Sequence, residues 1–209
     1  MAQQPAPRRV LVVLGHARSA GLNHALVQVI HEELARRGAK TRFQDLLADG
    51  FDPVLRLEPD ERHATRCTAQ QDPLVHRYQE DVLWADAYVI VHPVWWFAPP
   101  AVLKGWVDRV LVHEVAIHQP AKGSPTPLLN GRRALLVQTF NAPSMVDRVL
   151  FGGIASRFWK RVVFPSTGIR WCGRVALFEV ENLAAAVFEK HCARLRRAIG
   201  TLVQASAIR

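Results

Sequence analysis

The sequence predicts one α/β domain, a doubly wound parallel sheet of five strands with helices on both faces. Three observations predict it. Short β-rich apolar runs alternate with segments whose apolar residues recur at helical spacing, five strands in all. No composition shift, linker or internal repeat divides the 209 residues. The apolar share of 49% and the charged share of 22% are those of an ordinary globular chain, which excludes disordered, collagen-like and low-complexity classes.

Residues 1–8 are polar and contain proline; they are expected to form a flexible N-terminus, with the domain running over 9–205. The uninterrupted run Val10 to Leu14, closed by Gly15, predicts a strand buried on both faces. After a polar turn from His16 to Gly21, the residues Leu22, Leu26, Val29, Ile30 and Leu34 form one helical stripe, and Gly38 follows as a C-terminal cap. Thr41 to Phe43 gives a short second strand. Leu46 to Gln71 has no sustained period and predicts a long irregular connection, with room for a short helix.

Asp72-Pro73 is an N-cap followed by a first-turn proline, and Leu74, Tyr78 and Val82 continue it as a helix. Ala87 to Val91 is the third strand, and Pro93 to Pro100 a loop. The helix opened by Pro99-Pro100 carries the stripe Leu103, Trp106, Val107, Val110 and Leu111, with Lys104 and Asp108 paired outside. Glu114 to Asn130 is a second long loop. Ala134 to Thr139 is the fourth strand, and Val149 to Val163 is expected to be a helix burying Leu150, Ile154, Phe158 and Val162. Val175 to Val180 is the fifth strand, before a closing helix on Leu183, Val187, Leu195, Ile199 and Leu202.

The charge balance is uneven. The chain carries 27 basic and 18 acidic side chains, a net +9, yet residues 1–100 sum to −1 and residues 101–209 to +10. Such a surface suits an anionic cofactor, nucleic acid, acidic lipid or simple solubility, and composition does not choose among them. Arg194, Arg196 and Arg197 cluster on the last helix without any nucleic-acid motif beside them, so no nucleic-acid partner is expected. The longest apolar runs are far too short to span a bilayer, so no membrane insertion is expected. Cys67, Cys172 and Cys192 are odd in number and widely spaced; this argues against a disulfide framework or thiolate zinc site and for the reducing cytoplasm. The histidines lack metal-site spacing, and no metal is expected; GxSxG is absent.

In an open parallel sheet, ligands lie beyond the carboxyl ends of the strands. The loop after strand one, Gly15 to Asn23, offers small residues, a hydroxyl, a guanidinium and an imidazole just before a helix N-terminus, which favours an anion such as phosphate. It is neither a P-loop nor GxGxxG. A second reading stays open, in which Ser19 and Asn23 cap the helix and His16 is a solvated loop histidine. The loop after strand three concentrates Trp95, Trp96 and Phe97 between prolines, suited to a planar and partly apolar ligand. Packing of these aromatics into the core is the alternative.

The stretch Pro93-Val94-Trp95-Trp96-Phe97, followed by Pro100-Ala101-Val102-Leu103-Lys104-Gly105-Trp106-Val107-Asp108-Arg109-Val110, resembles the signature of the flavodoxin-like NAD(P)H:quinone oxidoreductases, the DT-diaphorase and modulator-of-drug-activity group. His16, Ser19, Leu22 and Asn23, and Gly50-Phe51-Asp52-Pro53-Val54, extend the resemblance over about residues 9 to 140. It implies non-covalently bound FAD or FMN, NADH or NADPH as co-substrate, a quinone-like acceptor and a homodimer. By position, it implies that His16, Arg18, Ser19, Leu22 and Asn23 hold the phosphate part. Pro93, Val94, Trp95, Trp96 and Phe97 would lie along the flavin ring, with main-chain groups of Trp95, Trp96 and Phe97 in place of a side-chain catalyst. Thr139 and Asn141, with Phe140 between them, would lie near the pyrimidine edge.

Two departures accompany the resemblance. Glu114-Val115-Ala116-Ile117 stands where the family has an aromatic pocket wall, leaving His118 either a polar pocket residue or an exposed loop histidine. Phe140-Asn141-Ala142-Pro143 replaces a glycine-rich turn. The family also admits a second role, as a flavin-binding ancillary subunit of a transporter with little turnover of its own.

Overall fold

In the computed structural model the described residues are 9–57, 72–120 and 122–204. The expected N-terminal segment 1–8, the last part of the connection before Asp72, Cys67 and residue 205 lie outside them.

Five parallel strands build one sheet: β1 (Arg9–Leu14), β2 (Lys40–Asp45), β3 (Ala87–Pro93), β6 (Arg133–Thr139) and β7 (Arg170–Leu177), in the order β2-β1-β3-β6-β7. Two further strands among the described residues, β4 (Ile117–His118) and β5 (Thr126–Pro127), form a separate small antiparallel pair inside the expected loop. Because side chains alternate across a strand, the unbroken apolar run of β1 divides into two cores. Val10, Val12 and Leu14 meet α1 (Leu22–Arg36) and the closing helix α6 (Ala185–Val203) on one face. Leu11 and Val13 belong to the core of the other face, with α2 (Pro73–Trp84) and α3 (Ala101–Val110). Helices on both faces satisfy the expectation of a doubly wound sheet.

Local chemistry explains the helix boundaries. Asp72 accepts from the backbone N–H of Leu74 and Val75 at the head of α2, with Pro73 behind it. Gly38 takes the left-handed φ of 69° just after α1. Lys104 donates to Asp108 at 2.7 Å along the exposed side of α3. Gly15 is required by packing: a Cβ there would lie 2.6 Å from Cβ of Leu103, so only glycine lets α3 approach the end of β1.

Two sequence expectations are corrected. β7 begins at Arg170, five residues before the expected Val175, because its first half is an edge stretch with a one-residue bulge. Ala134 pairs with Trp171 but Leu135 with Gly173, so the extra residue breaks the alternation that would have marked the strand. Past the bulge the register pairs Arg174 with Leu136, a member of the α2 and α3 core on which Trp171 also packs.

The expected helix over Val149 to Val163 is replaced by a broken segment. A wide five-residue turn, Val146–Leu150, ends at Gly152 and Gly153, both left-handed. Then come α4 (Ile154–Arg157), a second wide turn over Phe158–Val163, and α5 (Phe164–Thr167). Widened turns carry an extra residue and shift the phase of everything after them. Burial is largely inverted: Asp147, Ala155, Trp159 and Val163 face inward, while Leu150, Ile154 and Val162 of the expected inner stripe are exposed and only its Phe158, half-buried, packs against the core.

Candidate functional site

β1 and β3 are neighbours whose following helices leave on opposite faces, and a crevice opens beyond their carboxyl ends at such a reversal. Three segments bound it: residues 15–22 after β1, residues 93–98 at the end of β3, and the segment after β6.

The first segment leads into a bare helix N-terminus. Gly21, the residue before α1, has φ 131° and ψ −162°, and among the described residues no side chain caps the helix. Asn23, one of the two residues that could have capped it, turns inward instead. Its amide donates to Thr139 Oγ1 at 3.1 Å, and the hydroxyl of Thr139 answers to its Oδ1 at 3.3 Å. Both are buried, so they lock α1 to β6 with their mutual hydrogen bonds. The first-turn N–H groups therefore remain available to an anion, with Arg18 and Ser19 exposed beside them. His16 Nδ1 accepts from the backbone N–H of Arg18 at 2.9 Å, and partial burial lowers its pKa; the ring is neutral at pH 7. His24, edge-on to His16 at 5.8 Å between centroids, reaches Asp45 at 3.3 Å.

The second segment is a tight turn. Trp95 N–H donates to Ala98 O at 3.1 Å and Ala98 N–H to Trp95 O at 2.9 Å, with Trp96 at φ 50° and Phe97 at φ 56° between them. Two successive positive φ angles define a turn that ordinarily calls for Asn-Gly. Bulky aromatics hold it at a cost of about 1–2 kcal/mol each, persisting only where the surroundings enforce it. The outcome is an indole on a stiff support, since Trp96 is 99% exposed. Val94 N–H donates to Thr139 O at 2.8 Å, which ties the turn to β6.

The third segment supplies an aromatic wall. Phe151 packs on Phe97 with ring centroids 4.2 Å apart, and Phe140 stacks on Phe178 at 4.6 Å. The Arg174 guanidinium lies 5.0 Å from the centre of the Phe140 ring and meets the fully buried Asp147 at 3.0 Å. Burial lowers the Arg174 pKa against the opposing pull of Asp147, and the guanidinium stays charged. Asp147 Oδ1 and Arg174 Nε are buried with no partner among the described residues, leaving this pair incompletely satisfied.

Of the sequence candidates, His16, Arg18, Ser19 and Leu22 stand together at the helix head, and Pro93, Val94, Trp95, Trp96 and Phe97 form the strand end and turn. Phe140 is buried in the wall, whereas Asn141 is exposed and donates to Glu181 Oε1 at 2.7 Å. His118 is exposed on β4, its ring 5.4 Å from that of His113. Phe151, Phe178, Asp147 and Arg174 were absent from the sequence candidates. The only signal for Asp147 was an acidic residue inside an apolar stretch, and for Arg174 a basic residue beside a glycine at a strand start.

The arrangement fits a flavin: an uncapped helix head for phosphate, a rigid aromatic turn, and an apolar aromatic wall beside it. A family model described as "Flavodoxin-like fold" matches residues 8–199. NAD(P)H dehydrogenase [quinone] 1 of Cavia porcellus is 29% identical over 183 residues, covering 80% of this chain and 66% of that protein, so the chain spans slightly less than two thirds of the relative's length. Among solved structures, NAD(P)H:quinone oxidoreductase from Methanothermobacter marburgensis superposes with a TM-score of 0.75 at 19% identity, covering 98% of this chain and all of that one. The FMN-dependent NADH-azoreductase from Bacillus anthracis, in complex with FMN, gives 0.72 at 16% identity, covering 94% and 100%. These two likenesses establish the fold.

Proposed function

The chain belongs to the flavodoxin-like fold family, and from that premise we propose that it is a flavin-dependent NAD(P)H oxidoreductase acting on a quinone or similar acceptor. The observation that carries the reading is the meeting, beyond β1 and β3, of an uncapped helix N-terminus with a strained aromatic turn. The names of the guinea-pig relative and the two solved structures support the choice of NAD(P)H, quinone and flavin.

In this reading the N–H groups at the head of α1, with Ser19 and Arg18, hold the phosphate part of FMN or FAD, and His16 orders the loop through the Arg18 amide. Asn23 acts from beneath, fixing the helix head to Thr139. Bound there, flavin supplies hydride acceptance from a nicotinamide and hydride donation to the acceptor. The main-chain N–H groups of the Trp96-Phe97 turn would be donors to a flavin held there, and they need no reorganisation because the turn is already closed. Trp96, Phe97 and Phe151 provide the apolar surface against which nicotinamide and acceptor would rest in turn.

The reading also includes a homodimer in the cytoplasm. Met145, Val149, Leu150, Phe151, Ile154 and Val162 are all exposed, with Val149 at 77% and Leu150 at 70%. Such a concentration of apolar side chains marks an interaction surface, and it adjoins the aromatic turn through the Phe97–Phe151 contact. A second copy covering this face would close the pocket. Cys172 and Cys192 are free thiols, which supports a reducing compartment; among the described residues no helix is long and apolar enough to cross a membrane.

The test is the absorbance spectrum of the purified protein, followed by NADH and NADPH oxidation with menadione. Flavin absorbance and menadione-dependent oxidation are expected. A colourless protein that takes up neither FMN nor FAD removes the reading, while one that binds flavin but leaves both nicotinamides unoxidised moves it to the ancillary role.

A further inference from the structure

The buried side of the 146–167 segment reaches the pocket turn through hydrogen bonds. Trp159 is fully buried and donates its indole N–H to His92 Nε2 at 3.2 Å. Gln138, opposite His92 across β3 and β6, brings its amide nitrogen to the same atom at 3.2 Å. That amide also donates to Ala155 O at 3.3 Å, which fixes its orientation and leaves Oε1 without a partner among the described residues. Rotating the amide would instead set its oxygen against the Ala155 carbonyl. A ring nitrogen facing two N–H donors is the one without a proton. The proton is therefore on Nδ1, which donates to Pro93 O at 2.6 Å.

We propose that His92 is a positioning residue for the flavin-binding turn: Trp159 and Gln138 hold its imidazole in the Nδ1–H tautomer, and that N–H fixes the Pro93 carbonyl from which the turn departs. Pro93 is the last residue of β3 and the turn closes two residues later, so a displacement of its peptide is passed directly to Trp95. The turn holds two aromatic residues at positive φ and needs restraint from several sides. His92 supplies it at the strand end, the Val94–Thr139 bond at the next residue and Phe151 at the tip. Trp159 has its effect through His92, which links the segment bearing the exposed apolar face to the site. The proposal rests on the flavin reading.

The experiment compares wild type with His92→Phe, His92→Asn and Trp159→Phe. Phenylalanine at 92 keeps a ring and loses the donor, asparagine places an N–H close to where Nδ1–H stood, and Trp159→Phe keeps the packing but not the indole N–H. FMN binding to the apoprotein is read by fluorescence titration, and the tautomer by ¹⁵N NMR of histidine-labelled protein. His92→Phe is expected to bind FMN about tenfold more weakly, the worth of one buried hydrogen bond, and His92→Asn to recover most of that loss. Trp159→Phe is expected to weaken binding in the same direction and to move the His92 nitrogen shifts. Wild type should show His92 neutral with the proton on Nδ1.

An Nε2–H tautomer in wild type overturns the proposal, as does equal FMN affinity in wild type and His92→Phe. Where His92→Phe does not fold, Trp159→Phe decides alone: unchanged affinity with unchanged nitrogen shifts overturns it. Wild type that binds neither FMN nor FAD removes the flavin reading itself, an outcome distinct from a wild type that binds while its variants bind as well.

Discussion

α1 and the 146–167 segment both follow a strand at the carboxyl side of the sheet, and both carry apolar residues at helical spacing, yet they use them in opposite ways. α1 buries Leu26, Val29, Ile30 and Leu34 of its stripe, with Leu22 half-buried at the head, and offers its bare N-terminus to the crevice. The later segment buries Asp147, Ala155, Trp159 and Val163 and turns Leu150, Ile154 and Val162 of its apolar stripe outward. Periodicity thus reports that a face is apolar without saying what covers it. In α1 the cover is the sheet; in the later segment two wide turns and a Gly152-Gly153 break rotate the stripe away, and internal polar bonds take over the anchoring.

The sharpest break in this comparison is Asp147→Ala. It leaves the Arg174 guanidinium in a poorly solvated position without its carboxylate, and about 3–5 kcal/mol of stability should be lost in urea unfolding. Arg174→Met added to it should restore part of that, because the stranded charge is gone. In α1 the comparable change is Leu26→Ala, where a cavity in a closed apolar core should cost about 2–4 kcal/mol. A loss in Asp147→Ala below that of an exposed-site substitution would show that the later segment is not anchored by its ion pair.

pH separates the two regions next. Burial pushes the His92 imidazole down to about 4, against the Pro93 hydrogen bond and aided by the Arg174 charge. The unfolded chain then binds the extra proton between about pH 6.5 and 4, so stability should fall as pH drops through that window, by up to about 3 kcal/mol. His92→Asn should flatten that slope in chemical-denaturation curves measured at each pH. Glu33, at the far end of α1, is held down to about 2 first by its hydrogen bond to Arg36 and further by Arg37, with burial opposing both. Its contribution is present above the ordinary carboxylate pKa of about 4.5 and fades as pH falls toward 2. The two effects therefore occupy successive pH windows.

Smaller effects are expected on the exposed surfaces. Trp96→Ala should leave the melting temperature of the apoprotein unchanged, because the indole packs on nothing in the monomer, while weakening FMN binding about tenfold, or ~1.4 kcal/mol, if the turn lies on the ring. A fall in apoprotein stability would return Trp96 to a packing role. Ile154→Ser should alter monomer stability by less than about 0.5 kcal/mol yet shift sedimentation from dimer to monomer. A monomeric wild type would leave the outward stripe to another partner.

Much of this was legible beforehand where local pattern and burial agree. The first strand, α1 with its closing Gly38, the Asp72-Pro73 helix start and the Lys104–Asp108 pair all follow from short-range chemistry. The loops that gather at the crevice were named from the same reasoning. What escaped it were elements whose pattern is altered by an extra residue: the bulged start of β7 and the widened turns after β6. Asn23 shows the same limit inside the site, since its identity suited a helix cap and its partner proved to be Thr139, 116 positions away.

By itself the sequence determined the alternation of strands and helices, the two-faced core and the composition of the pocket loops. Side-chain period and turn chemistry act over a few residues and are written directly in the chain. Only the tertiary structure decided which side of the 146–167 segment faces inward, which nitrogen of His92 bears its proton, and that Asp147 meets Arg174. Those outcomes depend on hydrogen-bond partners brought together from distant parts of the chain. Such pairings leave no period behind, because desolvated polar groups settle where a partner is available and not where their neighbours in sequence point.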